Sequence, residues 1–88
     1  SEALKLNAHD AVFYYNRATL YARSYEYSKA IADFDKALEL NPLLAEAYYN
    51  RGLAYIYSDN KQQGFSDLSK AGELGLFTAY SLIKHFRK

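Results

Sequence analysis

An internal repeat with a period of 34 residues constrains this chain more than any other feature. The segment 11–44 aligns with the segment 45–78 without a gap, and twelve of the 34 aligned positions are identical. A fixed period of about 20–50 residues is typical of proteins built from stacked supersecondary units, each of which buries its apolar face against its neighbours. The identical residues of the first copy are Ala11, Tyr14, Tyr15, Asn16, Arg17, Tyr21, Ser24, Asp33, Lys36, Ala37, Glu39 and Leu40.

The spacing of aromatic and small residues within each copy indicates the kind of unit. The first copy reads Tyr14-x-x-Arg17-Ala18-x-x-Tyr21, then Ala30-x-x-x-Phe34 and Pro42. The second copy reads Tyr48-x-x-Arg51-Gly52-x-x-Tyr55, then Gly64-x-x-x-Leu68. This pattern resembles the tetratricopeptide repeat, a helix–turn–helix unit of about 34 residues. The departures are arginine at the usual leucine position of both copies, Gly64 in place of alanine, and Leu76 in place of a second proline.

The resemblance implies an all-α fold, a right-handed α-solenoid of antiparallel helix pairs, in a single domain over residues 1–88. Residues 11–44 are repeat one, residues 45–78 are repeat two, and residues 76–88 form a C-terminal capping helix. Residues 1–8 are either the remnant of a preceding repeat or a short N-terminal helix. The remnant is suggested by Ala3-Leu4-Lys5-Leu6-Asn7, which resembles residues 37–41 at the same period.

Apolar spacing predicts five helices, at about 9–24, 27–40, 44–58, 61–74 and 76–86. On the second helix we expect Lys29, Asp33, Lys36 and Glu39 to face outward. Two glycines inside the fourth helix, Gly64 and Gly72, each cost roughly 1 kcal/mol relative to alanine, so this helix is expected to be the weakest. The fifth helix carries one apolar side and closes the solenoid. That side consists of Leu76, Phe77, Ala79, Leu82, Ile83 and Phe86.

Composition argues against several classes of function. Eleven basic and ten acidic side chains nearly balance, so net charge gives no reason to expect nucleic acid or a membrane surface as a partner. The chain has no cysteine, and its two histidines, His9 and His85, lie near opposite ends. We find no spaced set of metal ligands and no glycine-rich phosphate loop. We therefore expect no catalytic residue, no metal and no cofactor. The compartment is left open, with the cytoplasm as the default.

The resemblance also implies where a partner would bind. In tetratricopeptide arrays the first helix of each pair lines a concave groove that binds peptide segments of other proteins. Asparagine amides could hold a peptide backbone, and tyrosines offer large amphipathic contact areas. Arg17 and Arg51 are instead expected to form salt bridges and to pack through their stems. The positions carried over to the groove are Tyr15, Asn16, Thr19, Arg23, Tyr49, Asn50, Leu53, Tyr57, Tyr80 and Lys84.

Some members of this family hold the C-terminal carboxylate of chaperone tails with a clamp of lysine, arginine and asparagine side chains from three successive first helices. With Asn50 as the middle element, this chain offers Tyr15 and Thr19 where the clamp needs lysine and asparagine. With Asn16 as the middle element, Glu46 would repel the carboxylate. The clamp is incomplete in either register.

A different class of function, structural self-association, is the alternative. Repeat arrays commonly need about three repeats for independent stability, and this chain has two and a cap. The N-terminal edge carries Val12, Phe13 and Leu20, an apolar surface that needs a cover. A second copy could cover it to form a homo-oligomer, either through the edges of the repeats or by exchanging a helix across the Asn41-Pro42 turn.

Overall fold

The computed structural model describes residues 2–87, with the side chains of residues 9–87, and in this range the chain forms five helices joined by short turns. They are α1 (Glu2–Arg23), α2 (Tyr27–Leu40), α3 (Ala45–Tyr57), α4 (Lys61–Glu73) and α5 (Thr78–Phe86). α1 pairs with α2, α3 pairs with α4, α2 also contacts α3, and α5 packs on α4. The all-α solenoid predicted from the sequence is confirmed.

The first helix is longer than predicted. α1 is continuous from Glu2, whereas the apolar pattern placed its start near His9. The reason lies in the residue that aligns with Pro42: a proline ends α2 and opens a turn, whereas Ala8 at the aligned position lets the helix continue. The interpretation of residues 1–8 as the remnant of a preceding repeat stays a prediction. Testing it requires the side-chain packing of these residues, which lies outside the described part of the chain.

Three helices end in the same turn geometry, with a residue in the left-handed region two positions after the last helical residue. These residues are Tyr25, Asp59 and Gly75, with φ angles of 63°, 73° and 110°. At the end of α4, Leu76 N–H donates to Ala71 O over 3.0 Å, the long-range bond of a Schellman motif. Glycine adopts this conformation without strain, whereas tyrosine does not. Gly75 therefore ends α4, as predicted.

The interior consists of two clusters that one tyrosine connects. The first joins α1, α2 and α3, and contains Ala18, Ala30, Phe34, Leu38 and Ala47. The second joins α3, α4 and α5, and contains Ile56, Leu68, Ala71 and Ala79. The half-buried Tyr48 packs against both. Because Phe34 and Leu68 occupy aligned positions and are fully buried, each repeat places one large side chain at its centre.

In each repeat, an arginine–aspartate salt bridge also connects the two helices. Arg17 Nε and Nη2 donate to Asp33 over 2.6 and 3.0 Å, and Arg51 Nε and Nη2 donate to Asp67 over 2.7 and 2.8 Å. The salt bridges expected of both arginines are confirmed. The expectation that Asp33 faces outward is wrong: it is only 7% exposed, because its partner Arg17 reaches it from the paired helix.

The electrostatic effect of this pairing is seen most clearly in repeat two. The hydrogen bonds from Arg51 to Asp67, opposed by partial burial and assisted by the charges of Asp67 and Asp35, raise the pKa of the guanidinium above its usual value. Its partner Asp67 is only 4% exposed. Arg51 therefore stays charged, and it compensates a carboxylate that water scarcely reaches.

The glycines at the centre of repeat two let its helices approach closely. A Cβ atom added at Gly64 would lie 2.5 Å from Ile56 Cγ1 and 2.7 Å from Gly52 O. Such distances are shorter than real contacts, so a side chain at Gly64 would push α3 and α4 apart. Close packing therefore offsets the low helix propensity of this glycine, a gain that the sequence-based expectation of a weak α4 did not include.

The apolar side of α5 packs largely as expected. Ala79 is buried, and four further apolar residues of this segment, Leu76, Leu82, Ile83 and Phe86, pack against the second cluster. Phe77 is the exception, because it precedes the first turn of α5 and its side chain is 70% exposed. Within the described residues, no helix combines the length and the apolar character that crossing a membrane requires.

Candidate functional site

A groove lies between the first helix pair and α3. It encloses about 910 Å³, a volume within the range of ligand pockets. Residues of α1, the α1–α2 turn, α2 and α3 contribute to its lining, so it spans the junction between the two repeats. The lining residues are Tyr15, Thr19, Ala22, Arg23, Tyr25, Tyr27, Phe34, Asn50, Leu53, Ala54 and Tyr57. We call this surface the groove.

The groove is open because the residues that line it above the buried Phe34 include two alanines, whose side chains leave space. Phe34 of α2 is fully buried and forms the floor, with its ring 5.9 Å from the ring of Tyr15. Ala22 and Ala54 line the groove with side chains of a single methyl group. In repeat two the position aligned with Ala22 is occupied by Ile56, which is buried in the second cluster. The space is thus a property of repeat one and its junction with α3.

One polar contact crosses the groove from repeat to repeat. Asn50 Nδ2 donates to Tyr15 Oη over 2.9 Å and to Glu46 O over 3.0 Å. Burial, together with the negative charge of Glu46, raises the pKa of Tyr15, while the hydrogen bond from Asn50 acts in the opposite direction. The Asn50 side chain is therefore held in a fixed orientation by the protein itself.

Aromatic rings form a row at one end of the groove. Tyr25, Tyr27, Tyr57 and Phe86 follow one another with centroid separations of 6.4, 6.0 and 6.0 Å. Tyr25 and Tyr57 are largely exposed. Such rings present wide, rigid and amphipathic contact surfaces, which suits the binding of protein segments.

The structure brings six of the ten residues carried over from the family together in the groove: Tyr15, Thr19, Arg23, Asn50, Leu53 and Tyr57. Within this set, the Thr19 hydroxyl donates to Asn16 O over 2.7 Å, so its hydrogen is engaged by the helix backbone. The other four residues do not line the groove. Asn16 is exposed on α1, and Tyr49 packs against the second cluster.

Tyr80 and Lys84, the remaining two, lie in a separate depression of about 680 Å³ that Ser69, Ile83 and Arg87 also line. The reason for this placement is the packing of α5 on α4, in which the Tyr80 ring covers Gly72. Their predicted position in the concave groove is therefore not where the structure places them.

Sequence reasoning missed the groove residues that do not belong to the first helix of a pair. Tyr25 and Tyr27 come from the α1–α2 turn and the start of α2, and Phe34 comes from the middle of α2. The family pattern already marks Phe34 as a packing position. A signal for Tyr25 was available, because tyrosine is unusual in a turn that requires a left-handed residue. Tyr27, the first residue of α2, carries no such signal.

Paired helices in tandem and an open groove at their junction define a helical-repeat protein. Comparison with family models agrees: models described as TPR repeat and as Tetratricopeptide repeat match residues 26–56 and 45–74. Together they span more than half of the chain, and the chain belongs to the tetratricopeptide repeat family. Repeats of this family generally mediate protein–protein interactions. A search among curated proteins finds no match.

Proposed function

We propose that this protein is a non-catalytic interaction module whose groove binds an extended peptide segment of a partner protein. The observation that carries the proposal is the open cavity at the junction of the repeats, with a floor formed by the buried Phe34. A preformed cavity lowers the entropic cost of binding, because the receptor does not need to rearrange.

The lining supports a bulky apolar side chain as the anchor of such a segment. Leu53 and Ala22 offer partly exposed apolar surface, and Tyr15 and Tyr57 add aromatic surface. The buried Phe34 supports this surface from beneath. A phenylalanine or leucine that enters an apolar site gains about 1.5–3 kcal/mol over leaving it in water. We therefore expect a peptide with a central phenylalanine or leucine to bind more tightly than the same peptide with alanine.

The charge of the groove supports an acidic residue beside that anchor. Among the described residues that line the groove, Arg23 alone carries a formal charge, and Glu46 acts on Tyr15 from outside this lining. Arginine binds carboxylates through a rigid fork of donors. Asn50 is already engaged by Tyr15, so in this proposal it orients the tyrosine and need not grip the peptide backbone. Peptide contacts of Asn16, Tyr49, Tyr80 and Lys84 stay predictions from the family resemblance.

A small peptide panel tests the proposal directly. The peptides are nine residues long, with phenylalanine, leucine or alanine at the centre and either aspartate or lysine on both sides of it. Binding is followed by NMR, with the side-chain amide of Asn50 and the methyl groups of Leu53 as reporters inside the groove. We expect the phenylalanine–aspartate peptide to bind at least about tenfold more tightly than its alanine counterpart.

Two charge reversals provide a matched comparison. Arg23→Glu removes the cation of the groove, whereas Arg87→Glu makes the same change in the separate depression on α5. Arg23→Glu should reverse the preference between aspartate and lysine flanks, and Arg87→Glu should leave it in place. Equal effects of both variants, or peptide-induced shifts confined to α4 and α5, would show that the groove is not the binding site.

A further inference from the structure

The turn between α1 and α2 holds a tyrosine in a backbone conformation that suits glycine. The φ angle of Tyr25 is 63°, in the left-handed region. The turn requires this conformation, because Glu26 N–H donates to Tyr21 O over 2.9 Å, the long-range bond of a Schellman motif. A Cβ atom at this position is strained, and a tyrosine side chain is less suited to it than a short polar one.

The other two turns of this type show which residues suit the position. The same long-range bond closes the turns in which Asp59 and Gly75 have positive φ angles. Aspartate and glycine adopt the left-handed conformation more readily than other residues do. Asp59 aligns with Tyr25 at the 34-residue period. Of the three residues, Tyr25 is therefore the one that the turn itself does not favour.

Packing within the chain does little to offset this strain. Tyr25 is 80% exposed, and its ring meets that of Tyr27 in a T-shaped contact with the centroids 6.4 Å apart. A ring that stays in water gains little from burial, because the hydrophobic gain scales with the area removed from water. Backbone strain that persists in this way is found most often at binding and catalytic sites.

The location of Tyr25 indicates which site it serves. Its side chain lines the groove, as do Arg23 and the rings of Tyr27 and Tyr57. Tyr27 connects the exposed rings of Tyr25 and Tyr57 through centroid separations of 6.4 and 6.0 Å. These rings extend the apolar surface of the groove beyond the floor that Phe34 forms. A peptide that fills the groove can therefore make a second apolar contact at this end.

We propose that Tyr25 is a specificity-determining residue of the groove, and that its ring binds a second apolar side chain of the peptide. The inference rests on the proposed peptide binding and adds the class of segment: two apolar residues with an acidic residue between them. In this arrangement the acidic residue meets Arg23, two positions before Tyr25 in the chain. A tyrosine ring suits the contact, because it offers a large area at a low cost in conformational entropy.

Glycine and phenylalanine variants separate the effects of Tyr25 on folding and on binding. Tyr25→Gly relieves the strain, so the melting temperature should rise by roughly 3–6 °C. The same variant should bind the phenylalanine–aspartate peptide with leucine at its second and eighth residues about fivefold more weakly. Tyr25→Phe keeps both the strain and the ring, so it should change neither quantity appreciably. A residue that only supports the fold would not raise stability and lower affinity in one substitution.

A double-mutant cycle between protein and peptide tests whether the contact is direct. The probes are the nine-residue phenylalanine–aspartate peptide with either leucine or alanine at its second and eighth residues. Leucine should increase the affinity of the original chain about fivefold. In Tyr25→Gly the gain from leucine should be less than about twofold, because the ring that it contacts is missing. An equal gain in both chains would overturn the proposal.

The aligned turn provides the matched control. Asp59→Gly makes the corresponding change after α3, at a residue outside the described lining of the groove. It should leave the affinity for the leucine peptide within about twofold of the original. A lower melting temperature of Tyr25→Gly, or an equal loss of affinity in Asp59→Gly, contradicts the inference.

The two proposals fail in distinguishable ways. If the original chain binds peptides with central phenylalanine and central alanine equally well, the groove does not hold an apolar anchor, and both proposals fall. If that preference is present but leucine gains as much affinity in Tyr25→Gly as in the original chain, only the role of Tyr25 is wrong.

Discussion

Replacing Arg51 by leucine should destabilise the protein more than the same change at Arg17. Arg51 donates two hydrogen bonds to Asp67 and a third, of 2.7 Å, to Asp35 of repeat one. Its side chain is 16% exposed, against 45% for Arg17. Leucine is the usual residue of the family at both positions, so the substitution itself suits the fold. What it removes is the only cation beside the buried Asp67 in the described structure.

The magnitude follows from the carboxylate left behind. Removing one partner of a buried ion pair costs about 3–5 kcal/mol, because the other charge stays buried without compensation. Partial exposure of Arg51 argues for the lower end of this range, about 3 kcal/mol. For a domain of this size, this corresponds to a fall of the melting temperature by roughly 12–24 °C. Arg17→Leu should cause a smaller loss, because the Arg17 side chain is 45% exposed and water screens its charge before it is removed, although Asp33 itself is only 7% exposed.

Urea unfolding followed by circular dichroism measures both losses, and a second substitution tests the cause. Asp67→Ala in the Arg51→Leu chain removes the uncompensated charge, so it should restore at least half of the lost stability. If both leucine variants lose the same free energy of unfolding, burial of the pair does not set its contribution. If Asp67→Ala destabilises the Arg51→Leu chain further, the penalty does not come from the buried carboxylate.

Two further substitutions test packing and titration. Gly64→Ala should lower the free energy of unfolding by about 1–3 kcal/mol in urea unfolding, although alanine is the better helix former, because its Cβ would overlap Ile56. Since burial and Glu46 raise the pKa of Tyr15 in the folded state, this tyrosine contributes stability that is complete below about pH 10 and lost as the pH rises through its folded value. Stability measured from pH 9 to pH 11 should therefore fall less steeply in Tyr15→Phe, with Glu46→Gln in between.

The architecture was predictable from the sequence because it depends on periodic features. The 34-residue period, the aromatic positions and Pro42 determine the helix pairs and the turn between the repeats, and four helices lie close to their predicted bounds. The salt bridges of Arg17 and Arg51 were predictable as a type of contact, since a long cationic side chain at an apolar position needs a partner.

Tertiary packing decides the features that the sequence did not reveal. The apolar periodicity of α2 alone predicts that Asp33 faces outward. Its burial is explained only by Arg17 on the neighbouring helix, which pairs with it. The low helix propensity of Gly64 could be predicted from the sequence. The close approach of Gly52, which requires glycine at position 64, could not. In each case the decisive partner is on another helix, so no pattern within one helix could have identified it.

The asparagines illustrate how position in the solenoid, rather than residue type, sets a role. Asn16 and Asn50 are identical in their copies, as are Tyr15 and Tyr49. The hydrogen bond from Asn50 to Tyr15 crosses the junction between repeats, and two repeats have one such junction. One period further on, the position aligned with Asn50 is Lys84, so Tyr49 has no matching amide on α5. Asn16 is exposed on α1. The same pair of residue types therefore fixes a groove residue in one copy and leaves the asparagine exposed to solvent in the other.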